Sequence, residues 1–599
     1  MNAVADPSAH AVRRARRTKR RNLLLGAPLL LLLLALLVYP VAQLLLLSFY
    51  KDGTPSLASY RQLFASSVYI NVLLITLKIS LWTTVFAVIA GYPVAYLISS
   101  LQHQKKSRLL FWVLLSFWSS FLVRAFAWIV LLGRNGVVNQ LLVALGIVDA
   151  PMNLLYSFGS TMVGMVHALM PLAVLTMLSV MENIDRNLPR AALTLGAKPG
   201  AAFWRVYFPL SLPGVAAAAI MVFVTAIGFF IFPALLGGRR ETMITQIIID
   251  QVQQTLNWGF AGAVSVFLLV VVMAVFVLYD RLLGLSTMAG GTSERAKPMA
   301  GSGWAHSLGD AMLTLLANLT DGLASLVSRR KRQAGHHASE PGQSRGMYAV
   351  VLVLLGFLSL PPLLMIPLSF AGGSGLNWPP QGFSLQWYRQ MFESPLWTQA
   401  LTRSLVVGIG AGVLSMLIGT PAAFLLARTQ MRGKSLMLAF VLSPIIVPRM
   451  IIAVGLFYLF SKIGLVGTSL GLILGHTVIC VPYVVLTMMA VLRNYDTRLD
   501  LAAQSLGARP WQTLRYVTFP ILIAGLTSSF LFAFATSFDE LTISLFASGG
   551  LNSTLPKQFW DEVTLQISPV IAAVSTCLFF FVAALIWIAD RLRRRSLAR

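Results

Sequence analysis

Met181-ENIDRNLPRAALTLGAKPGAAFWRVYFPLSLPG-Val215 and Leu492-RNYDTRLDLAAQSLGARPWQTLRYVTFPILIAG-Leu526 align without a gap, at an offset of 311 residues. Matched positions include Asp185/Asp496, Ala191/Ala502, Ala192/Ala503, Gly196/Gly507, Ala197/Ala508, Pro199/Pro510 and Pro209/Pro520. Both stretches are polar and punctuated by Gly and Pro inside an otherwise apolar chain. A polar loop present twice in a membrane protein is most simply a docking site present twice. The spacing predicts a short helix over Asp185–Leu195 and another over Asp496–Leu506, each with an acidic residue near its positive end. Gly196 and Gly507 suit a helix C-terminus that needs φ > 0. Pro199 and Pro510 then open a second short helix, which gives a helix–turn–helix standing out of the membrane.

The rest of the chain supplies that membrane. It is 57% hydrophobic and 11% charged, against about 25% charged in soluble domains, with a mean hydropathy of +0.77. Apolar runs long enough to cross a bilayer lie near 23–49, 70–99, 109–133, 160–181, 211–236 and 260–283. Six more lie near 347–370, 400–427, 436–461, 467–491, 521–547 and 567–589. Continuous apolar spans in lipid should be helices, so the expected fold is all-α and polytopic, with about twelve transmembrane helices. An even number per half gives the halves the same orientation, as parallel repeats.

The net charge of +26 is not that of a nucleic-acid binder, because its basic residues cluster at Arg13–Arg21, Lys105–Arg108, Arg329–Arg332, Arg428–Lys434 and Arg591–Arg595. All fall on one side if the chain crosses twelve times from a cytoplasmic N-terminus, the positive-inside pattern. Both polar loops and both termini are then cytoplasmic. The leucine run from Leu23 to Leu47 exceeds the core of a signal peptide and reads as the first span. Cys480 and Cys577 both fall in predicted helices, so neither a disulfide framework nor a Cys-based metal site is indicated. The expected organisation is a basic arm (1–22), a first permease-like half (23–285), a linker (286–345), a second half (346–590) and a basic tail (591–599). Within the linker, Leu308, Met312, Leu315, Leu316, Leu319, Leu323, Leu326 and Val327 recur at 3–4 spacing, the pattern of an amphipathic helix on the inner leaflet.

In both copies the loop fits Ala-Ala-x3-Gly-x9-Val-x-Phe-Pro. This resembles the "EAA" loop of permease subunits in ATP-binding-cassette importers, whose fuller form is Glu-Ala-Ala-x3-Gly-x9-Ile-x-Leu-Pro. The resemblance covers nearly all of both halves and implies two parallel six-helix permease repeats fused in one chain, of the type I importer kind. It implies that Asp185, Ala191, Ala192, Gly196, Ala197 and Pro199, with Asp496, Ala502, Ala503, Gly507, Ala508 and Pro510, form two loops that seat in grooves of two separate ATPase subunits. ATP and Mg would be bound there, so no cofactor is expected on this chain and it is not itself an enzyme. A periplasmic binding protein would deliver a small-molecule substrate, and the location would be a bacterial inner membrane. The motif's glutamate is replaced by Arg190 in one copy and Leu501 in the other, leaving Asp500 as the nearby acid. Gly433-Lys434-Ser435 fails as a phosphate loop, because Arg428 stands where its first glycine is needed.

On the substrate side, the stretches Phe117–Ile129, Leu132–Val143 and Ala226–Arg239 resemble the spermidine/putrescine permease branch, and Ser537–Ala547 and Ser553–Asp561 resemble its partner. Ionisable residues within spans are functional candidates. Asp539 and Glu540, read as lying in the middle of a fifth helix, could attract an ammonium group or be fixed by Arg449. Trp118 and Phe230 could stack on an alkyl-ammonium. Lys78 and Arg124 also interrupt apolar stretches, while Glu241, Asp250, Asp561 and Glu562 lie on outer loops. His167 and His476, on fourth helices, are expected to be structural. Alternatives of the same build would carry ferric iron, an opine or a phosphonate. An ion-driven secondary transporter would instead show inverted repeats with broken helices.

Overall fold

The computed structural model describes residues 24–51, 53–283, 314–322, 344–373, 375–429, 433–550 and 552–597. Eleven helices are long and apolar enough to cross a membrane, and one bent pair supplies a twelfth crossing. In the first half they are Leu24–Leu47, Ser67–Ser100, Phe121–Ala144, Phe158–Met181, Pro199–Ile227 and Trp258–Val277. In the second they are Arg345–Leu368, Pro395–Arg428, the pair Lys434–Ile446 and Arg449–Ile463, then Ser469–Arg493, Pro510–Phe538 and Val570–Ile588. The protein is thus all-α, apart from a hairpin at Tyr50–Lys51 and Thr54–Pro55 among the described residues.

Span 4 is central to each half, since Phe158–Met181 and Ser469–Arg493 are among the most deeply buried crossings. Span 2 lies tightly against it because glycine removes the obstructing side chain. A Cβ on Gly91 would stand 3.1 Å from Met177 Cε, and one on Gly419 would stand 2.9 Å from Val484 Cγ1. Small residues at helix contacts let packing hold helices together where lipid offers no hydrophobic drive. The interior prolines of span 2, Pro93 and Pro421, sit two residues beyond those glycines.

The halves exchange their first spans. In span 1 of the first half, the Pro40 carbonyl comes within 3.1 Å of where a Cβ on Gly455 would stand, in the second half. Span 1 of the second half packs on the first half, where His167 Nε2 and the Leu358 carbonyl are 3.0 Å apart and Phe357 stacks beside Trp128. The two repeats are therefore interlocked by their spans as well as joined by the chain.

Four crossings expected to be continuous are broken. Span 3 of the first half, Phe121–Ala144, begins with the helix Phe121–Leu132, which a break at Ser119 and Ser120 separates from the helix His103–Trp118. Its counterpart bends by 91° at Val447-Pro448. Ser120 accepts from the Leu122 amide at 3.3 Å, which restarts the helix. Span 5 ends at Ile227 in one half and Phe538 in the other, followed by the short helices Ile231–Leu236 and Thr542–Ala547. Asp539 and Glu540 consequently stand at a helix break, and not in mid-helix. Hydropathy is blind to these breaks because protein covers the interrupted backbone. Broken helices were expected to mark an ion-driven carrier; here they occur within parallel repeats, so they do not separate the two classes.

Residues 314–322 of the linker are helical. The remainder of the amphipathic stretch, the arm at 1–22 and the cluster Arg329–Arg332 lie outside the described residues.

Candidate coupling loops and translocation junction

Each polar loop begins with an aspartate that turns the chain. Asp185 Oδ1 accepts from the Asn187 amide at 2.9 Å, and Asp496 Oδ1 accepts from the Arg498 amide at 2.9 Å. Helices Asn187–Thr194 and Arg498–Ser505 follow, two residues shorter at the start than expected because the aspartates act from outside. Gly196 has φ +89° and Gly507 φ +87°. The Ala197 amide donates to the Ala192 carbonyl and Gly196 to Leu193, at 3.0 and 3.1 Å. Ala508 to Ala503 and Gly507 to Gln504 repeat the pattern, both at 3.0 Å. This paired closure is the Schellman motif, and it needs a left-handed residue at the glycine.

The second arm is not a separate short helix. Pro199–Ala202 and Pro510–Thr513 run through five-residue π turns, Phe203–Tyr207 and Leu514–Thr518, directly into span 5. A push on either loop is therefore applied to the end of a transmembrane helix. At each corner a leucine projects with nothing to cover it: Leu195 is 88% exposed and Leu506 is 89% exposed. Sequence reasoning passed over both as site residues, although an apolar residue immediately before a φ-positive glycine, repeated at the same offset, was the available signal.

Each loop is tied to the cytoplasmic end of span 2, with opposite polarity. In the first half Arg186, on the loop, donates to the carbonyls of Ser99 and Ser100. In the second, Arg428 at the end of span 2 donates to Asp500 on the loop at 2.9 Å. Tyr495 and Thr518 also donate to Asp500, at 2.6 and 2.8 Å. All three contacts turn the Asp500 carboxylate inward, onto donors of the chain itself.

Burial alone would raise the Asp500 carboxyl. The hydrogen bonds from Tyr495 and Thr518, together with Arg428, outweigh it and hold the group below the usual carboxylate range. A carboxyl depressed in the folded state contributes stability above its unfolded value, lost as pH falls through the folded one. The anchor is thus complete at neutral pH and is lost only in acid, as pH falls below the ordinary aspartate range. Asp500→Asn is expected to cost the second loop about 1–2 kcal/mol, read as faster amide exchange across 498–518 with 187–207 unchanged. Equal exchange in both loops would remove the anchor's role.

The candidate substrate residues converge where the broken spans of the two halves meet. Asp539 faces Ser120, the Phe121 amide and Arg124. Glu540 is 2% exposed; it accepts from Arg449 Nη1 at 3.3 Å and from the Ile543 amide at 3.2 Å. Arg449 Nη2 also reaches Tyr483 Oη at 3.4 Å. Glu540 thus has an ion-pair partner, the arrangement in which burying charge is tolerable, whereas Arg124 acts on Asp539 at longer range while donating to the Ser120 and Ala168 carbonyls. A cavity of about 130 Å³ is bordered by Phe230, Arg449, Tyr483, Asp539 and Glu540. A second, of about 290 Å³, is bordered by Trp118, Ser120, Phe532 and Asp539, so Asp539 faces both. Trp118 packs edge-on against Phe532 across the halves at 4.6 Å, and Phe230 meets Trp560 at 5.3 Å.

The other flagged residues are placed elsewhere. His476 bonds Ser537 and Ser544 at 2.8 and 3.2 Å, bracketing the break that presents Asp539 and Glu540. Lys78 lies over the Phe158 ring. Glu241 accepts from the Gly238 amide, and Asp561 pairs with Lys557 at 2.5 Å. Burial pushes up the Asp250 and Glu562 carboxyls on the outer segments.

Two parallel, interlocked six-span repeats with paired cytoplasm-type loops on span 5 define the transmembrane component of a binding-protein-dependent importer. The family model described as "Binding-protein-dependent transport system inner membrane component" matches residues 20–285 and again 344–597, and the chain belongs to that family as a fused pair of permease domains. It is 33% identical over 226 residues to the spermidine/putrescine transport system permease protein PotB of Haemophilus influenzae, covering 38% of this chain and 79% of the relative. Identity to PotB of Escherichia coli K12 is 31% over 214 residues, covering 36% and 78%. To PotC of Haemophilus influenzae it is 28% over 249 residues, covering 41% and 96%. Such relatives match each half. The chain is thus an ABC importer permease of the multi-pass inner-membrane kind, a family that works with ATPase and substrate-binding partners.

Proposed function

We propose that this single chain forms the whole transmembrane pathway of an ATP-driven polyamine importer. Two separate ATPase subunits, which bind ATP and Mg, engage the loops around Gly196 and Gly507. A periplasmic binding protein delivers spermidine- or putrescine-like cations to the outer mouth, and both termini lie in the cytoplasm. The observation that carries the coupling reading is the pair of equivalent, almost fully exposed leucines, Leu195 and Leu506, each held on a rigid φ-positive corner continuous with span 5. An uncovered apolar knob in a fixed pose fits a groove on a partner. Closure of the ATPase dimer would then draw the two fifth spans together and act on the breaks that end them.

The polyamine reading draws on the PotB- and PotC-like halves and on Asp539, which faces both cavities at the junction. A substrate ammonium would exchange with Arg124 as the partner of Asp539. A second reading, an opine or phosphonate importer, draws on Arg449, whose side chain is 43% exposed beside the smaller cavity and offers donors to an anion.

The test is uptake into proteoliposomes holding the permease, its ATPases and its binding protein. Labelled spermidine or putrescine should accumulate only with hydrolysable ATP, and Asp539→Asn should lower the rate at least roughly ten-fold, as expected for loss of one charged partner worth about 1.4 kcal/mol or more. Equal uptake without hydrolysis would sink the coupling reading. Uptake of an anionic solute but of no polyamine would replace the substrate.

A further inference from the structure

The linker helix at 314–322 packs against the first turn of span 5 in the first half. Asp321 Oδ1 accepts from the Gly200 amide at 2.7 Å, and Arg205 Nη2 donates to Thr314 Oγ1 at 2.8 Å. Ala317, between these contacts, is 2% exposed. Gly200 is closely covered: a Cβ there would stand 2.5 Å from Thr320 Oγ1 and 2.7 Å from Asp321 Oδ1. Any side chain at 200 would push the linker off.

The equivalent turn in the second half is built differently. At the 311-residue offset, Gly200, Ala201 and Arg205 correspond to Trp511, Gln512 and Tyr516. Gln512 Oε1 accepts from the Arg509 amide at 2.7 Å, so that segment caps itself. Trp511 and Tyr516 are 67% and 68% exposed. Ala201 has no acceptor with which to make the same cap. The first amides of a helix need a partner, and a carboxylate is favoured at that end. Two differences between the copies therefore match the linker contact, a glycine that admits the linker and an arginine that holds it, and the turn they serve has no internal cap of the Gln512 kind.

We propose that Asp321 is a positioning residue for the first coupling loop. From the linker it caps the Gly200 amide, in a turn that lacks the internal cap Gln512 gives Arg509, and so fixes the pose in which the Leu195 corner meets its ATPase subunit. The two loops reach equivalent poses by different means, one of which depends on the chain that fuses the halves. The proposal rests on the reading of these loops as ATPase-docking elements.

The test uses the full-length permease as Asp321→Ala and as Asp321→Asn, which keeps an accepting oxygen for the Gly200 amide. In nanodiscs without ATPase, Asp321→Ala is expected to speed amide exchange at 200–202 about five-fold, the size of a lost cap. Residues 510–518 serve as the internal reference and should not change. Asp321→Asn should keep most of the protection. With ATPases and binding protein present, solute moved per ATP hydrolysed should fall roughly two- to five-fold in Asp321→Ala, following the same cap energy, and stay near the wild-type value in Asp321→Asn. Unchanged exchange in Asp321→Ala overturns the cap. Altered exchange with an unchanged transport ratio overturns the positioning role, as does a ratio that falls equally in Asp321→Asn. Because the exchange arm contains no ATPase, its failure is distinct from failure of the docking reading, which substitutions at Gly196 and Gly507 test separately.

Discussion

Arg449→Ala is expected to destabilise the permease by about 3 kcal/mol, whereas Glu540→Gln should cost only about 1 kcal/mol. The asymmetry follows from burial. Glu540 is 2% exposed, and among the described residues its donors are Arg449 and the Ile543 amide. Removing the arginine leaves that carboxylate charged and uncompensated where water cannot reach it. Arg449 is 43% exposed beside the smaller cavity and keeps Tyr483 within 3.4 Å, so it tolerates loss of its acid. A glutamine at 540 can still accept from the Ile543 amide, and the restart of the short helix Thr542–Ala547 survives. Replacing both members, as Arg449→Ala with Glu540→Gln, should recover most of the loss, because breaking a buried pair costs more than neutralising it. Stability measured in detergent for the wild type, both singles and the double gives the coupling directly. The account fails if Arg449→Ala is no worse than Glu540→Gln, or if the double adds the two single costs.

That pair also marks where the sequence stopped being informative. Crossing number, repeat organisation and the glycine corners were legible because each is local: an apolar run of sufficient length, a pattern repeated at one offset, a glycine after a short helix. The breaks at Ser119-Ser120 and Val447-Pro448 were not, since the apolar run continues through them and hydropathy averages over the few residues involved. Ser120 and Pro448 were the only local hints, and each is common inside membrane helices. The partners of Asp539 and Glu540 were harder still. Arg124 lies in the other half of the chain, and its approach to Asp539 depends on two broken spans meeting across the repeat interface. The periodicity of the linker predicted a helix but set its apolar face on the membrane. The described part also touches the coupling segment through Asp321 and Thr314, polar residues that a hydrophobic pattern does not weigh. Asp500 was legible as the acid beside the motif, but its three donors were not, because Arg428, Tyr495 and Thr518 come from separate elements.

Gly196→Val and Gly507→Val should each reduce ATP-driven uptake about five- to thirty-fold while leaving the membrane body folded. The positive φ of both glycines is open to residues without a Cβ penalty, and an L-residue held there loses about 1–2 kcal/mol, more when branched at Cβ. That energy is the fraction of loops lost from the docking pose, because the Ala197–Ala192 and Ala508–Ala503 hydrogen bonds form only when the corner is left-handed. Steric conflict contributes nothing, since a Cβ at either position would meet no atom within 4 Å. The substitution therefore isolates backbone geometry at two points far from the junction. Asparagine, which tolerates the left-handed region, should preserve uptake at both sites and separates geometry from a need for glycine itself. If the corners seat Leu195 and Leu506 in partner grooves, the valine variants should also retain less ATPase on purification, and Leu195→Ser with Leu506→Ser should do the same with the backbone unaltered. Full uptake by Gly196→Val together with Gly507→Val would mean that force reaches span 5 by another route. Loss of uptake with ATPase binding intact would instead place the effect after docking, in the rigid connection from each corner through the π turn to the helix that ends at the substrate junction.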